Sequence, residues 1–165
     1  MSSAPLRVAR LAETHELGEF ACGVSRLDQW LCRSARTAAA AGTAATYVLC
    51  RDQRVVGYYA IAMSSVAHRA APSRLRRGMP DPVPVVLLAR LALHRSEHGA
   101  GVGGDLLTDA LRRCVRGARA FGARAVVVDA MSDEAAAFYR HFGFSEFDER
   151  RLWRPIGEVE RDLGA

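Results

Sequence analysis

Hydrophobic and polar residues alternate from Leu6 to Leu11, the period of a short strand, and a short helical stretch is expected at Thr14–Phe20. Ser25 suits an N-cap for a helix carrying Leu27, Trp30, Leu31 and Ala35 at three- and four-residue spacing. The alanine-rich run Thr37–Ala45, with one glycine, reads as the helix end and a loop. Thr46–Cys50 and Val55–Ser65 are β-rich, and the polar Arg51-Asp52-Gln53-Arg54 between them predicts a hairpin. Pro72, Pro80, Pro82 and Pro84 make Ala67–Pro84 a connecting loop with room for one helical turn.

Val85–Leu93 is almost continuously apolar, as a strand covered on both faces would be. Past a run of glycines, a long amphipathic helix aligns Leu106, Leu107, Ala110, Leu111, Cys114, Val115 and Ala118. Ala125–Val128 reads as another buried strand. Ser132 then caps a helix reaching His141, Gly143 ends it, and Phe144–Phe147 and Arg151–Arg154 read as closing strands. This order predicts a mixed α/β sheet in a single domain over residues 1–165.

A chain of 165 residues can bury roughly 70% of its unfolded surface in one core. No run approaches the ~18 apolar residues of a membrane span, and the N-terminus lacks the apolar segment of a signal peptide. A cytoplasmic protein without membrane contact is therefore expected. Cys22, Cys32, Cys50 and Cys114 form no CxxC pair and read as thiols in a reducing compartment. All 23 basic residues are arginine, and the net charge is +5. The guanidinium fork suits phosphate, so an anionic partner is expected. A GC-rich coding sequence would also supply arginine, so position must decide which arginines matter.

Three patterns overlap in His94–Gly104. His94, Glu97 and His98 spell H-x-x-E-H, a zinc pattern that needs both histidines on one helical face. Here it straddles a strand end and runs into Gly-Ala-Gly, so no metal site is expected. Gly99, Gly101 and Gly104 spell G-x-G-x-x-G, with Asp129 ending the next strand, as in a dinucleotide fold. Too little chain follows to complete that fold. The third reading is a cradle for the pyrophosphate of coenzyme A: glycines allow close backbone approach, and the next helix offers unpaired N–H groups.

His98-Gly99-Ala100-Gly101-Val102-Gly103 resembles the Q/R-x-x-G-x-G/A signature of the GNAT acetyltransferases, with His98 in place of the usual Gln or Arg. Ala135-Ala136-Ala137-Phe138-Tyr139, followed by Gly143-Phe144, resembles the second half of that family's site. The asparagine often found there is replaced by Ser132 or Asp133. The resemblance implies a central mixed, mostly antiparallel sheet flanked by helices, and acetyl-CoA as cofactor. It also implies cofactor contacts from Leu91, Ala92, Leu93, His98, Gly99, Ala100, Gly101, Val102, Gly103, Gly104, Ser132, Ala135 and Phe138. Tyr139 becomes the general acid for the departing thiolate. Its alternative reading is a core aromatic.

Phe20-Ala21-Cys22-Gly23, with Leu27-Asp28-Gln29-Trp30-Leu31, is similar to the opening of the GNAT toxins of type II toxin–antitoxin systems. That resemblance implies acetylation of the α-amino group of aminoacyl-tRNA, a block to translation, and a ribbon-helix-helix antitoxin. DNA would be contacted only through the antitoxin, and a homodimer is one assembly it allows. Arg33, Arg36, Arg74, Arg76, Arg77 and Arg90 are the expected charged-tRNA contacts, with Arg33 and Arg36 on one face of the same helix. A non-toxin acetyltransferase acting on a small amine or a protein N-terminus is the competing reading. A non-catalytic nucleic-acid-binding module is another.

Overall fold

The computed structural model describes residues 4–164. Seven strands form one sheet in the order β1-β2-β3-β4-β5-β7-β6, and only the β4–β5 register is parallel among the pairings described. This is the expected α/β class. The strands are β1 (Leu6–Arg10), β2 (Ala45–Arg51), β3 (Arg54–Val66), β4 (Val83–Leu93), β5 (Ala125–Asp129), β6 (Ser145–Asp148) and β7 (Arg151–Pro155). The helices are α1 (Ser25–Arg33), α2 (Ala35–Ala41), α3 (Ser73–Arg76), α4 (Val102–Phe121), α5 (Asp133–His141) and α6 (Ile156–Asp162). Among the described residues no helix is long and apolar enough to cross a membrane.

Contacts divide the chain into two compact units. The first runs to Ile61 and includes Arg90–Asp109. Its core gathers Leu17, Phe20, Leu27, Leu31, Val48 and Tyr58. Leu27 and Leu31 stand one turn apart, so α1 turns one apolar stripe inward. Val24, not Ser25, occupies the cap position, and it offers no side-chain hydrogen bond. Instead the Asp28 carboxylate in the first turn accepts from the Cys22 N–H at 2.9 Å. The alanine run builds helix α2 in place of the expected loop. Alanine is the best helix former, and Gly42 at φ 73° closes the helix in the left-handed conformation.

Thr14–Phe20 is not helical. Glu16 bridges Arg54 instead, its N–H donating to Gln53 O at 2.7 Å and its carbonyl accepting from Val55 N at 3.0 Å. Leu17 and Phe20 are still buried, so tertiary pairing overrides a weak local preference. Gly57 is needed for close approach: a Cβ there would meet Leu93 Cδ1 at 3.1 Å.

The second unit comprises Ala62–Ala89 and the chain from Ala110 onward. Its core includes Val66, Leu75, Val83, Val85, Val127 and Trp153. Val85–Leu88 pair with Ala125–Val128, and the β4–β5 register ends there. The C-terminal helix α6, which buries Ile156 and Val159, goes beyond the elements that the sequence pattern predicts. Its apolar positions fall only once in phase, too short a period to read as a helix.

Candidate active site

The expected site residues fall into two groups, one in each unit. In the first, β4 continues past its β5 register through Leu91, Ala92 and Leu93. The carbonyl of Leu93 lies 2.7 Å from His98 Nε2, which ties the strand end to the glycine segment. His98 therefore acts on the backbone from the position where Gln or Arg is usual. His94 is held likewise, with Nε2 3.1 Å from Glu19 O.

Gly99 at φ 82° and Gly101 at φ 79° adopt the left-handed conformation, and a Cβ on either would meet no atom within 4 Å. The segment is thus bent by glycines and bare on its outer side, and α4 starts directly after it at Val102. The N–H groups of the first turn of a helix lack intrahelical partners and attract an anion. Asp105 N already donates to Gly101 O at 3.3 Å, leaving those of Val102, Gly103 and Gly104. This arrangement fits a pyrophosphate.

Beneath the segment, Glu97 is buried and grips Arg51 with both oxygens, at 2.8 and 3.0 Å. Arg51 holds the Glu97 carboxyl below the usual carboxylate range, against the opposing effect of burial. A carboxyl depressed in the folded state stabilises the fold above its unfolded pKa of about 4.3, and the contribution fades as pH falls through the folded value. Glu97→Gln should therefore flatten the acid side of the melting-temperature curve. Parallel curves for the two proteins between pH 3 and 6 would show that the pair contributes nothing.

In the second unit, Ser132 caps α5 as expected, its hydroxyl accepting from Ala135 N at 3.1 Å. Gly143 follows the helix at φ 91°. There Arg154, which no sequence motif marks, donates to Phe142 O at 3.2 Å and pairs with Asp162. Its guanidinium lies 3.2 Å from where a Gly143 Cβ would be, so a side chain there would crowd it as well as strain the backbone.

Tyr139 is buried between Phe138 and Phe144, with ring centroids 5.4 and 5.7 Å away, both edge-on. Its hydroxyl has no hydrogen bond among the described residues. Burial, with a smaller contribution from Asp129, pushes its ionisation above the ordinary tyrosine range. The phenol thus keeps its proton at any physiological pH.

Of the six expected tRNA arginines, Arg33, Arg36 and Arg90 lie in the first unit and Arg74, Arg76 and Arg77 in the second. Arg33 ends α1 and Arg36 lies in α2, separated by the non-helical Ser34, so they do not share a helix face. Arg36 Nη2 donates to Ala12 O and His15 O at 3.0 and 2.9 Å and clamps that loop. Arg76 Nη1 is bonded to His68 O and Ala71 O. Arg90 lies 4.2 Å from the Trp30 ring centre, and desolvation lowers its pKa. Arg33 and Arg77 are exposed.

Residues 42–146, more than half of the chain, match the Acetyltransferase (GNAT) domain family, and the chain belongs to that family. It is 50% identical over 135 residues to a "tRNA-acetylating toxin" of Mycobacterium tuberculosis (strain ATCC 25618 / H37Rv), covering 82% of this chain and 81% of the relative. Among solved structures it resembles AtaT complexed with acetyl-methionyl-tRNAfMet, with 27% identity, a TM-score of 0.87, and coverage of 96% of this chain and 99% of that one. It also resembles a tyrosine-to-phenylalanine mutant of the AtaT toxin bound to the C-terminus of the antitoxin AtaR and acetyl-CoA. That match has 26% identity, a TM-score of 0.84, and coverage of 98% and 99%. The chain is an acetyltransferase of the GNAT type.

Proposed function

We propose that this acetyltransferase moves the acetyl group of acetyl-CoA to the α-amino group of an aminoacyl-tRNA, blocks translation, and is neutralised by a cognate antitoxin. The reading rests on the 50% identity to a tRNA-acetylating toxin across four fifths of both chains. It treats residues 1–165 as one GNAT domain that works in the cytoplasm. The antitoxin is of the ribbon-helix-helix type and brings DNA only indirectly, and a homodimer is one assembly the reading allows.

Leu91, Ala92 and Leu93 offer strand backbone to the extended part of the cofactor, and the segment His98 to Gly104 holds its pyrophosphate. Ser132, Ala135 and Phe138 complete its contacts. Acetyl-CoA supplies an activated thioester carbonyl. Acetyl transfer forms an amide and releases a thiol, so one proton must leave nitrogen and one must reach sulfur. Tyr139 Oη gives the second to sulfur, water takes the first from nitrogen, and the phenol regains its proton from solvent. No dedicated base is required, because an α-amine of pKa about 7.7–8.0 is partly neutral at pH 7.5.

Labelled acetyl-CoA offered to total charged tRNA, deacylated tRNA and free polyamines tests the reading. Label is expected on charged tRNA alone. Label on polyamines, with charged tRNA untouched, would overturn it.

A further inference from the structure

The second unit carries a basic cleft that the acetyl-transfer residues do not use. Arg74, Arg77, Arg124 and Arg161 line a cavity of about 340 Å³ together with Gly157 and Glu158. Glu158 pairs with Arg74 at 2.8 Å. Arg77, Arg124 and Arg161 are exposed, and among the described residues none of them meets a carboxylate. Three like charges around one open cleft repel each other, and an anion relieves that repulsion.

The backbone beneath them is fixed. Arg124 N donates to Pro84 O at 2.9 Å, and Arg124 O accepts from Ile156 N at 3.1 Å, which locks Arg124 to the start of α6. Arg74 lies over Trp153, its guanidinium carbon 5.6 Å from the ring centre. Exposed arginine forks converging on one cleft suit phosphate oxygens.

Position identifies the ligand. The cleft sits where Ala125 pairs with Pro155, whereas Asp129, whose charge reaches Tyr139, pairs with Arg151 at the other end of the same ladder. The four residue steps between them span roughly 13 Å. No aminoacyl group bound near Tyr139 reaches that far, but a polynucleotide does. We propose that this cleft is a distal anchor for backbone phosphates of the RNA acceptor. This rests on the reading of aminoacyl-tRNA as substrate. It predicts that substrate length, not only the charged terminus, sets the apparent affinity.

The test compares full-length aminoacyl-tRNA with a short aminoacylated oligonucleotide bearing the same 3′ end. In an Arg124→Glu/Arg161→Glu protein, KM for full-length tRNA should rise tenfold or more with kcat unchanged. The salt slope of tRNA binding should flatten by about one to two units, as expected for one or two lost phosphate contacts. The short substrate should change less than twofold. Arg124→Gln/Arg161→Gln should give a smaller shift in the same direction, and Arg112→Glu/Arg116→Glu on the exposed side of α4 should give none. Equal losses on both substrates would overturn the anchor, as would an unchanged KM for tRNA. Impaired neutralisation by the antitoxin with normal tRNA kinetics would also overturn it, in favour of an acidic protein segment. Wild-type protein that acetylates neither RNA refutes the substrate reading itself, a result distinct from all of these.

Discussion

Tyr139→Phe should leave acetyl-CoA binding within a few-fold of the parent while turnover falls roughly 10²–10⁴-fold, the range for a lost general acid. The substitution keeps the ring between Phe138 and Phe144 and removes a hydroxyl that bonds to no described residue. Folding stability should therefore barely change, which separates chemistry from structure. A phenol with a raised pKa is a weak acid, and a free thiolate in water, with conjugate acid near 8.5, would not take its proton readily. Burial alters both partners. Withdrawal from water raises a thiol's pKa as it raises a phenol's, so a thiolate shielded in a closed site becomes a stronger base. The pH profile carries a matching signature. Activity should rise as the acceptor amine deprotonates near pH 8 and show no descending limb from Tyr139 over the range in which the aminoacyl ester survives, because Tyr139 stays protonated. Isothermal calorimetry with steady-state kinetics checks both parts. Unchanged turnover would make Tyr139 a packing residue.

Local signals make much of this fold legible along the chain. Continuous apolar runs mark β4 and β5, and Ser132 and Gly143 bracket α5 because caps and left-handed turns demand particular residues. The glycine segment is legible for the same reason. What escapes depends on distance along the chain. The Arg51–Glu97 pair joins residues 46 positions apart, and Arg36 reaches back more than 20 positions to carbonyls at Ala12 and His15. Backbone carbonyls leave no trace in a residue pattern. Arginine is especially opaque: the same side chain clamps a loop at Arg36, lies on an indole at Arg90 and lines an open cleft at Arg77, Arg124 and Arg161. Ser34 shows how one non-helical residue defeats a periodicity argument, since Arg33 and Arg36 share a face only if the helix continues.

Gly101→Glu should weaken acetyl-CoA binding a hundredfold or more, equivalent to about 2.7 kcal/mol. Two effects act together. At φ 79° a residue with a Cβ is strained by roughly 1–2 kcal/mol, which lowers stability without preventing folding. The space that a Cβ would enter is open, so the new side chain is not expelled by the protein. It extends into the volume the cofactor's phosphates would take and brings a negative charge to the start of α4, where an anion would bind. Two controls divide these contributions. Gly42→Glu places the same side chain at φ 73°, also in open space, at the end of α2, and should cost stability alone. Gly101→Asn tolerates the left-handed conformation and adds no charge, so its loss of affinity should be much smaller. Calorimetry on folded Gly101→Glu protein decides the matter. Near-normal affinity there would move the phosphate site away from Gly99–Gly104, while a loss equal to that of Gly42→Glu would assign the effect to strain.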